Sequence, residues 1–142
     1  MNDIKKVPGV LSGQEITELV AKNILSSDQE IDKDIIQPAS IDLRLGIRAW
    51  RVPASFLPGK GNLVSERLKD FAMHEFSLLN GAVLECGCVY IVKLLENVSL
   101  TDNLSGIANP KSSTGRLDVF TRLIVDGAQE FEDVPAGYKG PL

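Results

Sequence analysis

Behind Ser12-Gly13-Gln14-Glu15, apolar residues Ile16, Leu19, Val20 and Ile24 recur at helical spacing. The Ser-x-x-Glu start has the form of a capping box, so the pattern predicts a helix over 13–23. Residues 1–10 read as a loose lead-in with a turn at Pro8-Gly9, and the polar stretch 26–33 reads as loop. Further on, Ile41, Leu43 and Leu45 alternate with Asp42 and Arg44 before Gly46, the period of a strand with one charged face. Asp42 and Arg44 lie two apart on that face. They are either solvated or paired with each other, and the pair is the preferred reading.

Residues 50–52 continue extended, and Pro53, Pro58, Gly59 and Gly61 break the pattern into a loop over 53–62. Residues 63–71 fit a short helix or part of a long insertion equally well. Phe76, Leu78 and Leu79 run into an Asn80-Gly81 turn, and 83–95, with Val89, Tyr90, Ile91 and Val92, reads as a core strand. Residues 97–103 are turn-rich, 104–108 short and extended, and 117–125 a β-branched, aromatic-containing strand before a turn at Asp126-Gly127. Short strands, many turns and one early helix predict a mainly β barrel or roll without internal repeats. The closing residues 133–142 read as a loop feeding a new strand. A sheet ending there has an unpaired edge, which points to a chain that continues or to an edge filled by another subunit.

A length of 142 residues suits one domain, and 44% hydrophobic with 24% charged residues is ordinary for a globular chain. The net charge of −4 argues against general nucleic-acid affinity, and no apolar run reaches membrane-spanning length. The first residues lack a signal-peptide apolar region, so a cytoplasmic setting is expected. Cys86 and Cys88 have too short a spacing for an easy disulfide and are expected to pack as small hydrophobes. The single histidine, His74, precedes Glu75 directly, and there is no Pro-Cys-x-x-Cys. The zinc-deaminase signature and the common structural zinc spacings are therefore absent, and no metal site is expected.

Chemistry concentrates in Asn109-Pro110-Lys111-Ser112-Ser113-Thr114-Gly115-Arg116-Leu117. Residues 111–116 hold two cations, three hydroxyls and one glycine. Lys111 supplies a point charge, Arg116 a planar fork, and Ser112, Ser113 and Thr114 short donors, a set that suits phosphate. Gly115 lets a ligand approach the backbone. The plain alternative is a solvated basic turn.

Together with Gln37-Pro38-Ala39-Ser40-Ile41-Asp42-Leu43-Arg44-Leu45-Gly46, and in that order, the segment Lys111–Leu117 resembles the dCTP deaminase family of the dUTPase-like superfamily. Residues 109–122 and Tyr138-Lys139-Gly140-Pro141-Leu142 resemble its long, two-domain bacterial form. The resemblance implies that 1–142 is a single dUTPase-like domain, the first half of a longer chain. The implied fold is a distorted β-barrel (β-clip) with an N-terminal helix. It assembles as a trimer, or as a pseudo-trimer of fused domains, with active sites between subunits. The implied reaction is hydrolytic deamination of dCTP to dUTP and ammonia, with Mg²⁺ carried by the triphosphate and no zinc.

Roles carry over by position. Ser112 falls beside the reacting water and base, and Arg116 on the arginine that orients the catalytic carboxylate. Lys111 and Ser113 fall on the triphosphate side, with Thr114 and Gly115 completing the substrate-binding turn. Glu132 is the best match to an aspartate that contacts the deoxyribose, with Asp126 and Asp133 as alternatives in a segment several residues longer than usual. The family's catalytic glutamate lies beyond Leu142, so these residues alone are not expected to turn over dCTP. The rival readings are a dUTP diphosphatase, a bifunctional enzyme making dUMP, and a non-catalytic nucleotide-binding or assembly domain.

Overall fold

The structure, a computed structural model, describes residues 8–142; residues 1–7 of the lead-in lie outside the described residues. Helix α1 (Gly13–Ala21) is followed by strand β1 (Leu25–Ser27), a 3-10 turn (Lys33–Ile35) and strands β2 (Ile36–Gln37), β3 (Ser40–Ile41) and β4 (Leu45–Val52). Then come helix α2 (Val64–Phe71) and strands β5 (His74–Ser77), β6 (Val89–Leu94), β7 (Glu96–Ser99) and β8 (Gly106–Ile107). A single helical turn α3 (Ser112–Gly115) precedes strands β9 (Asp133–Val134) and β10 (Lys139–Pro141). The strands form antiparallel sheets β1-β7-β10 and β5-β4-β6 and the ribbons β2-β3 and β8-β9. The expected mainly β class with an early helix is what the chain adopts.

The capping box forms as expected. The Ser12 hydroxyl accepts from the Glu15 amide at 3.4 Å, and the Glu15 carboxylate accepts from the Ser12 amide at 2.8 Å. Asn23, at φ 58°, ends the helix before the position the apolar pattern reaches. Gly13 donates its amide to the Pro38 carbonyl at 2.7 Å, and a Cβ there would meet the Gln37 carbonyl oxygen at 2.7 Å. Only glycine lets the helix start lie this close to 37–38. Ile16 and Leu19 bury against Leu25, and Leu100, Val125, Ala128 and Val134 form the second part of the core. Ile24, Val98 and Leu104 touch both, so the core is continuous.

Several expectations are corrected. The alternation at 41–45 is not one strand: β3 ends at Ile41 and β4 begins at Leu45. Between them the Arg44 amide donates to the Glu96 carboxylate at 2.9 Å instead of to a neighbouring strand. Asp42 and Arg44 do not pair with each other; Arg44 pairs with Glu96 and Asp42 with Lys111. The loop read over 26–33 begins as β1, and the turn-rich 97–103 begins as part of β7, because β1 and β10 flank β7 on either side. The core strand read over 83–95 starts only at Val89.

Residues 117–125 form no strand. Asp118 takes φ 56°, and the Leu117 and Val119 amides both turn back to the Thr114 carbonyl, which directs the chain away from any ladder. Leu117 and Phe120 are left 75% and 90% exposed. Cys86 is exposed in a turn, and half-buried Cys88 lies 3.0 Å from the Arg51 guanidinium, so the pair does not pack as small hydrophobes. The undecided 63–71 is helix, its first amide at Val64 held by Asp126 Oδ1 at 2.7 Å. The strand announced by the closing residues is β10, which pairs with β7.

Candidate functional site

Lys111 to Arg116 fold into one helical turn. The Arg116 amide donates to the Ser112 carbonyl at 3.1 Å, and the Thr114 hydroxyl donates to the Lys111 carbonyl at 2.6 Å. Ser112 and Arg116, four apart, therefore share one side of the turn. Lys111, Ser112, Ser113, Gly115 and Arg116 are exposed and Thr114 is half-buried. Among the described residues Arg116 makes no ion pair. Its five donors are free to address an anion or a carboxylate.

Lys111 is engaged. Its Nζ lies 2.6 Å from Asp42 Oδ2, a residue 69 positions away. The same carboxylate oxygen accepts from Gln37 Nε2 at 3.3 Å. The two segments singled out in the sequence thus meet at one ion pair. The acids named for sugar contact sit differently. Glu132, at φ 69°, receives Arg122 Nη1 on both carboxylate oxygens at 3.0 and 3.1 Å. Its carbonyl accepts from the Ala108 amide at 2.9 Å, which ties it to the strand leading into the basic turn. Asp133 opens β9 opposite Ile107. Asp126 holds the start of α2.

Tyr138 fixes the end of the described chain. Its hydroxyl donates to the Pro141 carbonyl at 2.7 Å and accepts from the Asp126 amide at 3.3 Å. Burial pushes its phenol above the ordinary tyrosine value. Two surface recesses, about 350 and 560 Å³, lie elsewhere. The first lies beside Arg51 and Tyr90, the second beside Thr17 and Gln37. Neither is lined by 111–116. Among the described residues no three His, Cys, Asp or Glu side chains converge as a metal ion requires.

The model of the 2'-deoxycytidine 5'-triphosphate deaminase (DCD) N-terminal domain family matches residues 7–142. The chain belongs to this family. It is also similar to 2'-deoxycytidine 5'-triphosphate deaminase from Agrobacterium tumefaciens, whose crystal structure matches at 55% identity with a TM-score of 0.91. That match covers 94% of this chain and 39% of the Agrobacterium chain. The deaminase-family fold thus places a compact cation–hydroxyl turn against the Gln37–Gly46 segment. Reading the sequence by itself missed both ion-pair partners that shape this region, Asp42 for Lys111 and Arg122 for Glu132. For Asp42 the available signal was its place inside the first of the two segments. Arg122 closes the 109–122 segment of the resemblance, which gave it no partner.

Proposed function

We propose that this chain serves the hydrolytic deamination of dCTP to dUTP and ammonia. Water adds to C4 of the cytosine ring, the tetrahedral intermediate collapses, and the amino group leaves as ammonia. A base must take the water proton and donors must stabilise the developing charge. Ser112 is the donor beside the reacting water. Arg116, on the same side of the turn, orients the catalytic carboxylate. Pairing of β10 with β7 and the Tyr138 hydroxyl brace residues 139–141.

Lys111, Ser113 and Thr114 hold the triphosphate, and Gly115 admits it to the backbone. Mg²⁺ travels with the triphosphate, whose oxygens are the hard ligands that cation prefers. Glu132 accepts from the deoxyribose hydroxyl; Asp126, committed to α2, and Asp133 are the alternatives. A carboxylate, not a zinc-bound hydroxide, activates the water. Ile107, Leu117 and Phe120 are 81%, 75% and 90% exposed around the turn, which supports closure of the site by another subunit or domain in a trimer or pseudo-trimer. The role is in nucleotide supply, in the cytoplasm; no described helix is long and apolar enough to cross a membrane.

The observation that carries this reading is the exposed Lys111–Arg116 turn in a chain of this family. The test supplies the intact protein with dCTP, Mg²⁺ and a zinc chelator and follows ammonia and pyrophosphate together. Ammonia alone supports the deaminase. Ammonia with pyrophosphate identifies the bifunctional enzyme, and neither product from folded protein leaves a nucleotide-binding or assembly domain.

A further inference from the structure

We propose that Asp42 is a positioning residue for Lys111, aiming its ammonium and serving as its counter-ion until the nucleotide's phosphates arrive. The inference rests on the deaminase reading above. Asp42 is the fixed member of the pair: its side chain is 25% exposed, against 61% for Lys111. Its amide donates to the Ile35 carbonyl at 2.8 Å, and its carboxylate takes the Gln37 amide at 3.3 Å. Gln37 Nε2 is also 3.3 Å from the Asp34 carbonyl, and Gln37 pairs with Ser40 across the β2-β3 ribbon. A lysine on an exposed turn therefore leans on an acid held by a braced ribbon. Ion pairs this exposed contribute little to folding stability, so stability does not account for the arrangement. An ammonium has three donors; with one on Asp42, two remain directed outward for phosphate oxygens.

Two effects follow, of opposite sign. The Asp42 charge opposes the approach of an anionic triphosphate, and the same charge fixes the direction of Lys111. Asp42→Asn removes the opposition and the fixation together while keeping shape and an acceptor. Binding should tighten while turnover falls, because remote phosphate contacts orient the reacting end of a substrate. We expect KM for dCTP to fall about three-fold and kcat to fall about ten-fold in the intact protein. A purely structural role would lower kcat through loss of folded enzyme and leave KM unmoved.

Lys111→Met should raise KM, and in that background Asp42→Asn should no longer lower it. The idea is overturned by a KM that is unchanged or raised in Asp42→Asn, or by the same KM decrease with and without Lys111. Thermal unfolding of each variant checks that the protein remains folded. If the intact protein releases no ammonia from dCTP, the deaminase reading fails on its own, and calorimetry with inorganic tripolyphosphate still tests the pair. Tighter tripolyphosphate binding in Asp42→Asn supports it. Equal or weaker binding, or none by the parent protein, overturns it.

Discussion

Replacing Glu96 by alanine removes, among the described residues, the one fully buried acid. Its exposure is 0%, and both carboxylate oxygens are used, Oε2 by the Arg44 amide at 2.9 Å and Oε1 by Arg44 Nε at 2.8 Å. The Arg44 guanidinium also reaches the Glu30 carbonyl at 2.8 Å and the Ser27 hydroxyl at 3.1 Å. One ion pair thus ties β7, the entry to β4 and the segment after β1. Without Glu96 the arginine keeps its charge in a site where its side chain is only 24% exposed, and its amide loses its acceptor. Breaking a buried pair from one side costs about 3–5 kcal/mol; the partial access of water to Arg44 places this case near about 3 kcal/mol. With an unfolding entropy of roughly 2 cal/mol/K per residue, each kcal/mol moves Tm by about 3 °C in a chain of this length, a drop of about 10 °C. The assay is thermal unfolding followed by circular dichroism at fixed protein concentration, since an oligomer's Tm depends on concentration. Arg44→Met combined with Glu96→Leu should recover part of the loss, because an apolar pair leaves no charge buried, although the backbone amide at position 44 still lacks its acceptor. A Tm for Glu96→Ala within about 2 °C of the parent, or a double variant no better than the single one, would refute the reasoning.

Three further outcomes are expected. Tyr138→Phe should lose about 1 kcal/mol with the Pro141 hydrogen bond. Because burial raises the Tyr138 phenol, its stabilisation is complete below the unfolded tyrosine value, near about 10, and is lost as pH rises through the folded value. Alkaline unfolding curves should therefore show an extra decline in the parent protein that the phenylalanine variant lacks. Hydrogen bonds from the Ser12 backbone and side chain hold the Glu15 carboxyl below its ordinary value, so its stabilisation is present above that value and is lost as pH falls through the folded one. Ser12→Ala should lower Tm at neutral pH and weaken that acid-side decline without abolishing it, because the backbone amide at this position still donates to the Glu15 carboxylate. Arg116→Ala should reduce kcat for dCTP by about 10²–10³-fold in the intact protein while leaving Tm unchanged; wild-type turnover would remove Arg116 from the chemistry.

The parts legible in the sequence are those governed by local chemistry. The capping box at Ser12 and Glu15, the turn at Asp126-Gly127 and the cation–hydroxyl cluster at 111–116 are each specified by neighbouring residues. The parts misread depend on partners far along the chain. Asp42 and Arg44 share a strand-like alternation, yet each is drawn to a different residue, Lys111 or Glu96, whose proximity only the fold creates. Glu96 itself lies in a stretch too polar to announce a strand, and it is buried because Arg44 satisfies it. Residues 117–120 carry strand composition without a strand, since apolar side chains serve an uncovered surface as readily as a ladder. The resemblance supplied roles for Ser112 and Arg116 that spacing by itself did not. The Lys111–Asp42 contact adds what neither composition nor motif had indicated, a physical link between the two segments.

The central claim is that water attacks the cytosine ring, and heavy-oxygen water tests it most directly. Incubating the intact protein with dCTP and Mg²⁺ in that solvent, followed by mass spectrometry of the products, should yield dUTP with one labelled oxygen on the base and an unlabelled triphosphate. Label on a phosphate, or no conversion of dCTP by folded protein, would contradict it.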